Sequence, residues 1–297
     1  MSYKADNAII MAAGASSRFV PLSFEKPKAL ITVKNEILLE RQVRQLQEAG
    51  IGQIVIVAGY KKEQFYYLQE KLGVTVVENE EYRVRNNHSS IYAARNYLKN
   101  SYICSADNYF TVNPFQAEVE EPYYAALYAD GETKEWCMRT DQQGYVDHIQ
   151  IGGSDSWYMM GHAFWNEEFS RKFVEILSAE YMLPETAGLL WEAVYMKHLS
   201  ELKLKIRKYS SDFIFEFDSL DELRAFDQTY KKDTRSVILK KIAEELKCSE
   251  EELTNFHAVK TSGGTEASGF FFDCRSEQYQ YSYKEKKWRK AACGGKL

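Results

Sequence analysis

Within the first hundred or so residues, short apolar runs alternate with stretches whose apolar residues recur at helical spacing, and few folds accept that order. Asn7 to Ala12 (NAIIMA) reads as a buried parallel strand that runs into a loop of small residues. Ile37 to Ala49 places Leu39, Val43, Leu46 and Ala49 on one helix face, with Gly50 able to end it. Gln53 to Ala58 is a second buried strand, followed by a helical stretch bearing Phe65, Leu68 and Leu72. Val74 to Val77 is a third strand. Ser89 or Ser90 can cap a helix through Leu98, and Tyr102 to Ser105 is a fourth strand leading to Asp107. This alternation predicts an open α/β sheet with right-handed crossovers. Strands one and four would then be neighbours at the switch in strand order, with Gly14 and Asp107 across one crevice.

The pattern changes after Pro114. Tyr123 to Ala129, Trp136 to Thr140, Tyr145 to Ile151 and Trp157 to Trp165 read as strands, with a turn at Gln143-Gly144. Helices are expected over Glu167 to Ala179, Ala187 to Leu199 and Leu220 to Tyr230, and late strands over Leu204 to Tyr209 and Phe213 to Phe217. The charged stretch KKDTR at Lys231 suggests a boundary between residues 1–230 and an appendage, 231–297. The appendage opens with an amphipathic helix, Ser236 to Lys247, and a short helix capped by Ser249. Gly263-Gly264 separates two β-like runs, Phe256 to Lys260 and Gly269 to Asp273, and the basic tail Lys284 to Lys290 is expected to fray.

Composition narrows the function classes. A net charge of −5 argues against general nucleic-acid binding, which brings a basic excess. No apolar run reaches membrane-span length, the polar start Met1 to Asn7 has no signal-peptide pattern, and five scattered cysteines without a C-x-x-C pair read as reduced thiols. A cytoplasmic location is therefore expected. Aromatic residues make up 14% of the chain, enough for a densely filled core or an aromatic ligand pocket.

Three elements carry the chemistry. Met11-Ala-Ala-Gly-Ala-Ser-Ser-Arg18, followed by Pro21 and Lys26-Pro-Lys-Ala-Leu30, lets backbone N–H groups approach phosphate oxygens and adds two cations, Arg18 and Lys28. Such cations stabilise the charge that builds on departing pyrophosphate; alternatively they are solvated charges on a loop. Asp107, just past the fourth strand, suits a magnesium ion, or else begins a turn with Asn108. Glu216 and Asp218 in Phe215-Glu-Phe-Asp218 would face one side of a strand and could complete that metal site, although Asp218 could equally cap the following helix.

Together these motifs resemble the nucleotidyltransferase superfamily over roughly residues 7 to 230. Within it they are most similar to bacterial CTP:phosphocholine cytidylyltransferases, through MAAGASSR, EKPKAL, VAGYKKEQF, RNNHSSIY, SADNY, KEW and FEFDS. The resemblance implies a Rossmann-like mixed, mostly parallel sheet with flanking helices, plus a small α+β appendage. It implies that Ala12, Ala13, Gly14, Ala15, Ser16, Ser17, Asn87, Ser90 and Ala106 hold the nucleotide, and that Arg18 and Lys28 hold its triphosphate. Asp107, Asp218 and Glu216 would bind magnesium, and Arg18, Lys28, Asp107 and Asp218 would be the catalytic set.

The implied acceptor is a phosphorylated or phosphonylated amino-alcohol, phosphocholine first. Trp136, Trp191, Tyr128 and Tyr109, with Tyr195 behind them, are candidates for its cationic head, although aromatic residues at these spacings are more often core. His162 is expected to be structural. The sequence departs from the family pattern at Leu190, where an aromatic residue is expected, and at His88-Ser89, which replaces a more aromatic pair. A primary ammonium, as in 2-aminoethylphosphonate or phosphoethanolamine, would want carboxylates more than rings. Activation of a sugar 1-phosphate and a non-catalytic nucleotide sensor are the more distant readings. Partners are expected to be small molecules only, with a homodimer compatible with the sequence. From about Ser236 the chain resembles the start of a choline-kinase-like lobe, chiefly in AVKTSGGTEASGFFF and QYQYSY. No catalytic loop follows, so a docking or capping module is expected rather than a kinase.

Overall fold

The computed structural model describes residues 2–260 and 266–291, so Gly263-Gly264 and Cys293 lie outside the described residues. The chain forms two compact units, one made of Met1–Gly14 and Leu38–Glu216 and the other of Ala15–Ile37 and Phe217–Leu297. Two stretches that chain order groups with residues 1–230, namely 15–37 and 217–230, thus pack with C-terminal residues.

The first unit contains β1 (Asn7–Ala12), β2 (Gln53–Ala58), β3 (Thr75–Glu78), β4 (Ser101–Ser105), β5 (Asn108–Phe110), β6 (Tyr123–Thr140), β7 (Val146–Trp165), β8 (Lys205–Lys208) and β9 (Ile214–Glu216). Seven of them form one sheet in the order β8-β6-β7-β4-β1-β2-β3. β1 is parallel to both β2 and β4, β3 is parallel to β2 and β8 to β6, while β7 runs antiparallel to β4 and β6. The sheet is mixed and mostly parallel, as expected. β5 and β9 form a separate antiparallel pair. The strands expected over 123–129 and 136–140 are one 18-residue strand, and those over 145–151 and 157–165 are one of 20 residues. Register shifts at Ala129/Glu132 and Thr133/Trp136 carry the ladder through bulges that break the alternation in the sequence. Gly144 makes the connecting turn at φ +86.

The helices here are α1 (Leu38–Glu48), α2 (Tyr67–Leu72), α3 (His88–Ala93), α4 (Glu167–Glu180) and α5 (Trp191–Lys197). α3 ends at Ala93 instead of reaching Leu98, and a 3-10 turn follows at Arg95–Tyr97. Neither Ser89 nor Ser90 caps it; both lie inside the helix and accept hydrogen bonds from the Asn79 amide. α5 begins at Trp191 rather than Ala187, after a 3-10 turn at Pro184–Thr186. Much of the aromatic content sits in one core, where Trp165 lies 4.6 Å from Phe173 and 5.1 Å from Trp191 between ring centroids. His162 is a core histidine: it meets the Tyr123 hydroxyl at 2.9 Å, and burial lowers its pKa to about 3.

The second unit holds α6 (Leu220–Phe226), α7 (Val237–Leu246) and a four-stranded antiparallel sheet, β10 (Leu253–Lys260), β11 (Ala267–Cys274), β12 (Glu277–Ser282) and β13 (Lys287–Lys290), paired in sequence order. Ser219 and Ser249 form capping boxes, and the Ser236 hydroxyl accepts from Leu239 N–H at 3.0 Å. The helix expected through Tyr230 stops at Phe226, with a short helix at Thr229–Lys232. Buried Arg224 donates to the carbonyls of Leu253 (2.6 Å) and Glu250 (2.7 Å), tying α6 to the start of the sheet. The basic tail does not fray: Lys287–Lys290 is a paired strand.

Candidate active site

In the first unit, β1 and β4 lie side by side with Met11 opposite Ser105, and Ala106 N–H extends the ladder to the Met11 carbonyl at 3.1 Å. Gly14 and Asp107 therefore leave the carboxyl ends of adjacent strands at the switch point, where ligands bind in open α/β sheets. A Cβ built on Gly14 would meet nothing within 4 Å, and its φ is not positive, so neither packing nor backbone geometry demands glycine there. The Ala13 carbonyl accepts from Tyr60 N–H at 3.0 Å, holding the start of the loop.

Asp107 occupies a tight turn between β4 and β5. α1 grips both sides of that turn with polar residues: Gln42 donates to the Ser105 carbonyl (3.2 Å), while Arg41 (3.0 Å) and Gln45 (3.3 Å) donate to the Phe110 carbonyl. Gln42 and Gln45 are buried, and the apolar spacing that reveals this helix says nothing of their role. β9 then sets Glu216 opposite Asn108, the residue after Asp107.

Sequence reasoning missed Glu192. Tyr124 donates to its Oε1 at 3.0 Å and Asn87 Nδ2 to its Oε2 at 3.3 Å, while the Tyr124 ring stacks on Trp191 with centroids 5.4 Å apart. Burial lifts the Glu192 carboxyl to about 7, against the hydrogen bonds that favour its charged form. Part of the residue's surface still meets solvent. Burial chiefly, then Glu192 and Glu216, raises the Tyr124 phenol, so that one hydroxyl senses both acids. The only signal in the sequence was an acid in the first turn of a helix beside Trp191, which reads as an ordinary first-turn charge.

Asn87 was expected to contact nucleotide. Its Oδ1 accepts from Trp191 N–H at 2.7 Å, serving α5 where Leu190 offers no side-chain cap. Its neighbours act likewise: Asn86 Nδ2 donates to the Gly188 carbonyl (3.1 Å) and His88 Nδ1 meets the Leu189 carbonyl (2.7 Å). Burial keeps His88 below the usual imidazole range, so the neutral ring donates through Nδ1. The segment 86–88 thus positions Glu192 by holding the chain ahead of it. Ser90 is buried against Asn79.

The aromatic candidates have separate surroundings. Trp191 is buried in the core described above, as is Tyr195. Trp136 is half-buried, lies opposite Ile151 in the ladder and packs on the edge of that core. Tyr128 is exposed, packs on Trp157 and donates to the Asp155 carbonyl. Tyr109 is buried under the Arg41 guanidinium, 4.7 Å from its ring centroid.

In the second unit, Ala15, Ser16 and Ser17 are partly accessible, and Ser16 takes φ 47 with its carbonyl accepting from Phe19 N–H at 2.9 Å. Arg18 Nη1 stands 2.9 Å from Asp218 Oδ2, and Lys28 Nζ is 3.5 Å from Asp218 Oδ1. Lys28 is 4% exposed and Arg18 75%, so one cation is buried and the other lies at the surface. Strand β9 ends at Glu216, so strand alternation does not place Asp218. Ser219, not Asp218, supplies the side-chain cap of α6. Among the described residues no three His, Cys, Asp or Glu side chains gather as a metal site. The available donors are carboxylate oxygens, which suit magnesium, an ion that commonly uses only one or two protein carboxylates together with substrate phosphates and water.

Residues 8–153 match the MobA-like NTP transferase domain. The chain is 33% identical to choline-phosphate cytidylyltransferase of Streptococcus pneumoniae over 226 residues, covering 76% of this chain and 99% of that protein. It is 37% identical to 2-aminoethylphosphonate cytidylyltransferase of Lancefieldella rimae over 228 residues, covering 75% and 93%. The solved structure of the Streptococcus pneumoniae CTP:phosphocholine cytidylyltransferase superposes with a TM-score of 0.72, again covering 76% of this chain and 99% of that one. Identity that spans nearly the whole length of these relatives, on the same sheet, makes this chain a member of the nucleotidyltransferase family that contains the choline-phosphate and 2-aminoethylphosphonate cytidylyltransferases.

Proposed function

We propose that the chain transfers CMP from CTP to a phosphorylated or phosphonylated amino-alcohol, phosphocholine first, and releases pyrophosphate. The observation that carries this reading is the acidic and aromatic set of the first unit: Asp107 and Glu216 beside the switch point, and Glu192 held by Tyr124 beside Trp191. A quaternary or primary ammonium gains charge–charge attraction from carboxylates and cation–π attraction from ring faces, both of which need a charge that a neutral sugar ring lacks. The relatives' activities support the same reading.

The acceptor phosphate is largely dianionic near neutral pH, its second pKa being about 6. One of its oxygens forms a bond to the α-phosphorus of CTP as the bond from that phosphorus to the bridging oxygen breaks. The electron pair leaves with pyrophosphate, and no base is needed. Arg18 and Lys28 bind the triphosphate and offset the charge growing on the departing group. Asp218 keeps both cations at hand before the nucleotide arrives. Asp107 with Glu216 in the first unit, and Asp218 in the second, are the carboxylates available to hold magnesium, which when bound would act as a Lewis acid toward the phosphates. The space around Gly14 leaves room for the nucleotide.

A second reading has a specific observation behind it. Glu192 and Leu190 together suit a primary ammonium, so 2-aminoethylphosphonate is the leading alternative acceptor. We place the reaction in the cytoplasm, consistent with free thiols at Cys104, Cys137, Cys248 and Cys274. No helix among the described residues is long and apolar enough to cross a membrane. The test is pyrophosphate release with each of the four nucleoside triphosphates against phosphocholine, phosphoethanolamine, 2-aminoethylphosphonate and glucose 1-phosphate. Release with CTP and an amino-alcohol acceptor supports the assignment; equal turnover with UTP or ATP, or turnover with glucose 1-phosphate alone, overturns it.

A further inference from the structure

We propose that the outward face of the C-terminal sheet binds a phosphate-bearing small molecule, at a site within the second unit that is independent of the cytidylyl-transfer reading. The register Gly269↔Ser282 and Ser282↔Lys287, with Phe271↔Gln280 and Gln280↔Arg289 one pair on, puts Gly269, Gln280, Ser282, Lys287 and Arg289 on the same face. The opposite face carries Phe270, Phe272 and Tyr281, which are buried. At the centre of the outward face Gly269 has no side chain, and none could be added: a Cβ there would fall 2.1 Å from the Tyr281 carbonyl oxygen. Beside this close approach of β11 to β12 lies a cavity of about 240 Å³ that Gly269 and Ser268 help to line.

The polar lining is mostly cationic. Lys284, Lys287 and Arg289 border the cavity, against a single acid, Glu285. Other cations of this sheet are neutralised: Lys290 pairs with Glu277 at 2.7 Å and Arg275 with Glu252 at 3.1 Å. Lys284 and Lys287 have no ion pair among the described residues, and Arg289 makes a neutral contact, donating to Gln280 Oε1 at 3.1 Å. The Gln280 amide and the Ser282 hydroxyl add hydrogen-bonding groups at the same place. Three cations bordering a small concave site that also holds hydroxyl and amide groups match the charge and hydrogen-bonding needs of a phosphoryl group. The small volume favours a compact ligand over a polyanion strand, which would need an extended basic stripe.

The test is calorimetric titration of the full chain with pyrophosphate at fixed ionic strength, in wild type, in Lys28→Ala and in Lys287→Gln/Arg289→Gln. Both residues of the double variant are exposed, and a second pair, Lys284→Gln/Lys287→Gln, repeats the experiment on an overlapping set. The expected result is that the number of bound pyrophosphates falls by one in either double variant, with the Lys28 background changing a different site. Parallel titrations with inorganic phosphate and with CTP distinguish a lone phosphate, a diphosphate and a nucleotide as the source of the group. A site count in both double variants equal to that of wild type overturns the proposal. So does a wild-type isotherm whose only site is lost in Lys28→Ala.

Discussion

Glu192→Gln separates a site carboxylate from an ordinary helix-start charge, because only the former ties stability to pH near neutrality. In the folded chain the carboxyl is lifted from 4.5 to about 7, chiefly by burial. As pH rises through that window, the unfolded chain releases a proton that the folded chain retains. The unfolding free energy therefore falls with rising pH across it and levels off above. The gap corresponds to ~3 kcal/mol. Glutamine shares the neutral charge of the protonated acid and still accepts from the Tyr124 hydroxyl, but its amide NH2 cannot accept from Asn87 Nδ2. The lost Asn87 bond costs the variant about 1 kcal/mol at every pH, and relative to its difference from wild type near pH 4 the variant should gain roughly 2 kcal/mol by about pH 8. Urea denaturation across this range measures the difference directly. If the two stability curves run parallel, burial does not hold this proton and the reasoning fails. The functional counterpart has the opposite sign. A cationic acceptor favours ionised Glu192, so its affinity should rise with pH through about 7 in wild type and lose that dependence in the variant.

Three further outcomes follow from the same geometry. Asp218→Asn should lower turnover by about 10²–10³-fold without loss of fold, because Ser219 and Glu222 make the cap of α6; wild-type rates at saturating magnesium would remove Asp218 from the site. Lys28→Ala should lower kcat more than it raises KM, since its charge matters most as negative charge develops on the leaving group; steady-state kinetics in CTP decides, and an effect on KM alone assigns Lys28 to ground-state binding. Trp136→Ala should weaken acceptor binding by roughly 0.5–2 kcal/mol, with Trp136→Phe retaining much of it and CTP affinity unchanged; two folded variants with unaltered acceptor affinity would confine Trp136 to the core edge it packs on.

The alternation of buried strands and helix faces determined the parallel half of the sheet, since each run of NAIIMA or QIVIVA type can be buried only between neighbours covered on both sides. The same order placed Gly14 and Asp107 at adjacent strand ends, because crossover handedness leaves few alternatives. The motif order was legible too, from Arg18 and Lys28 to Asp107, Glu216 and Asp218. What the sequence left open depends on contacts between residues far apart along the chain. The long strands β6 and β7 continue through bulges that no local period reveals. Tail residues expected to fray become β13 because β12 offers an edge to pair with. Glu192 became a candidate site residue only in the tertiary structure. Its proton is held by burial, and its orientation comes from Tyr124 and Asn87, which lie 68 and 105 positions away in the chain. A carboxylate's charge state is set by its surroundings, and those are assembled only when the chain has folded.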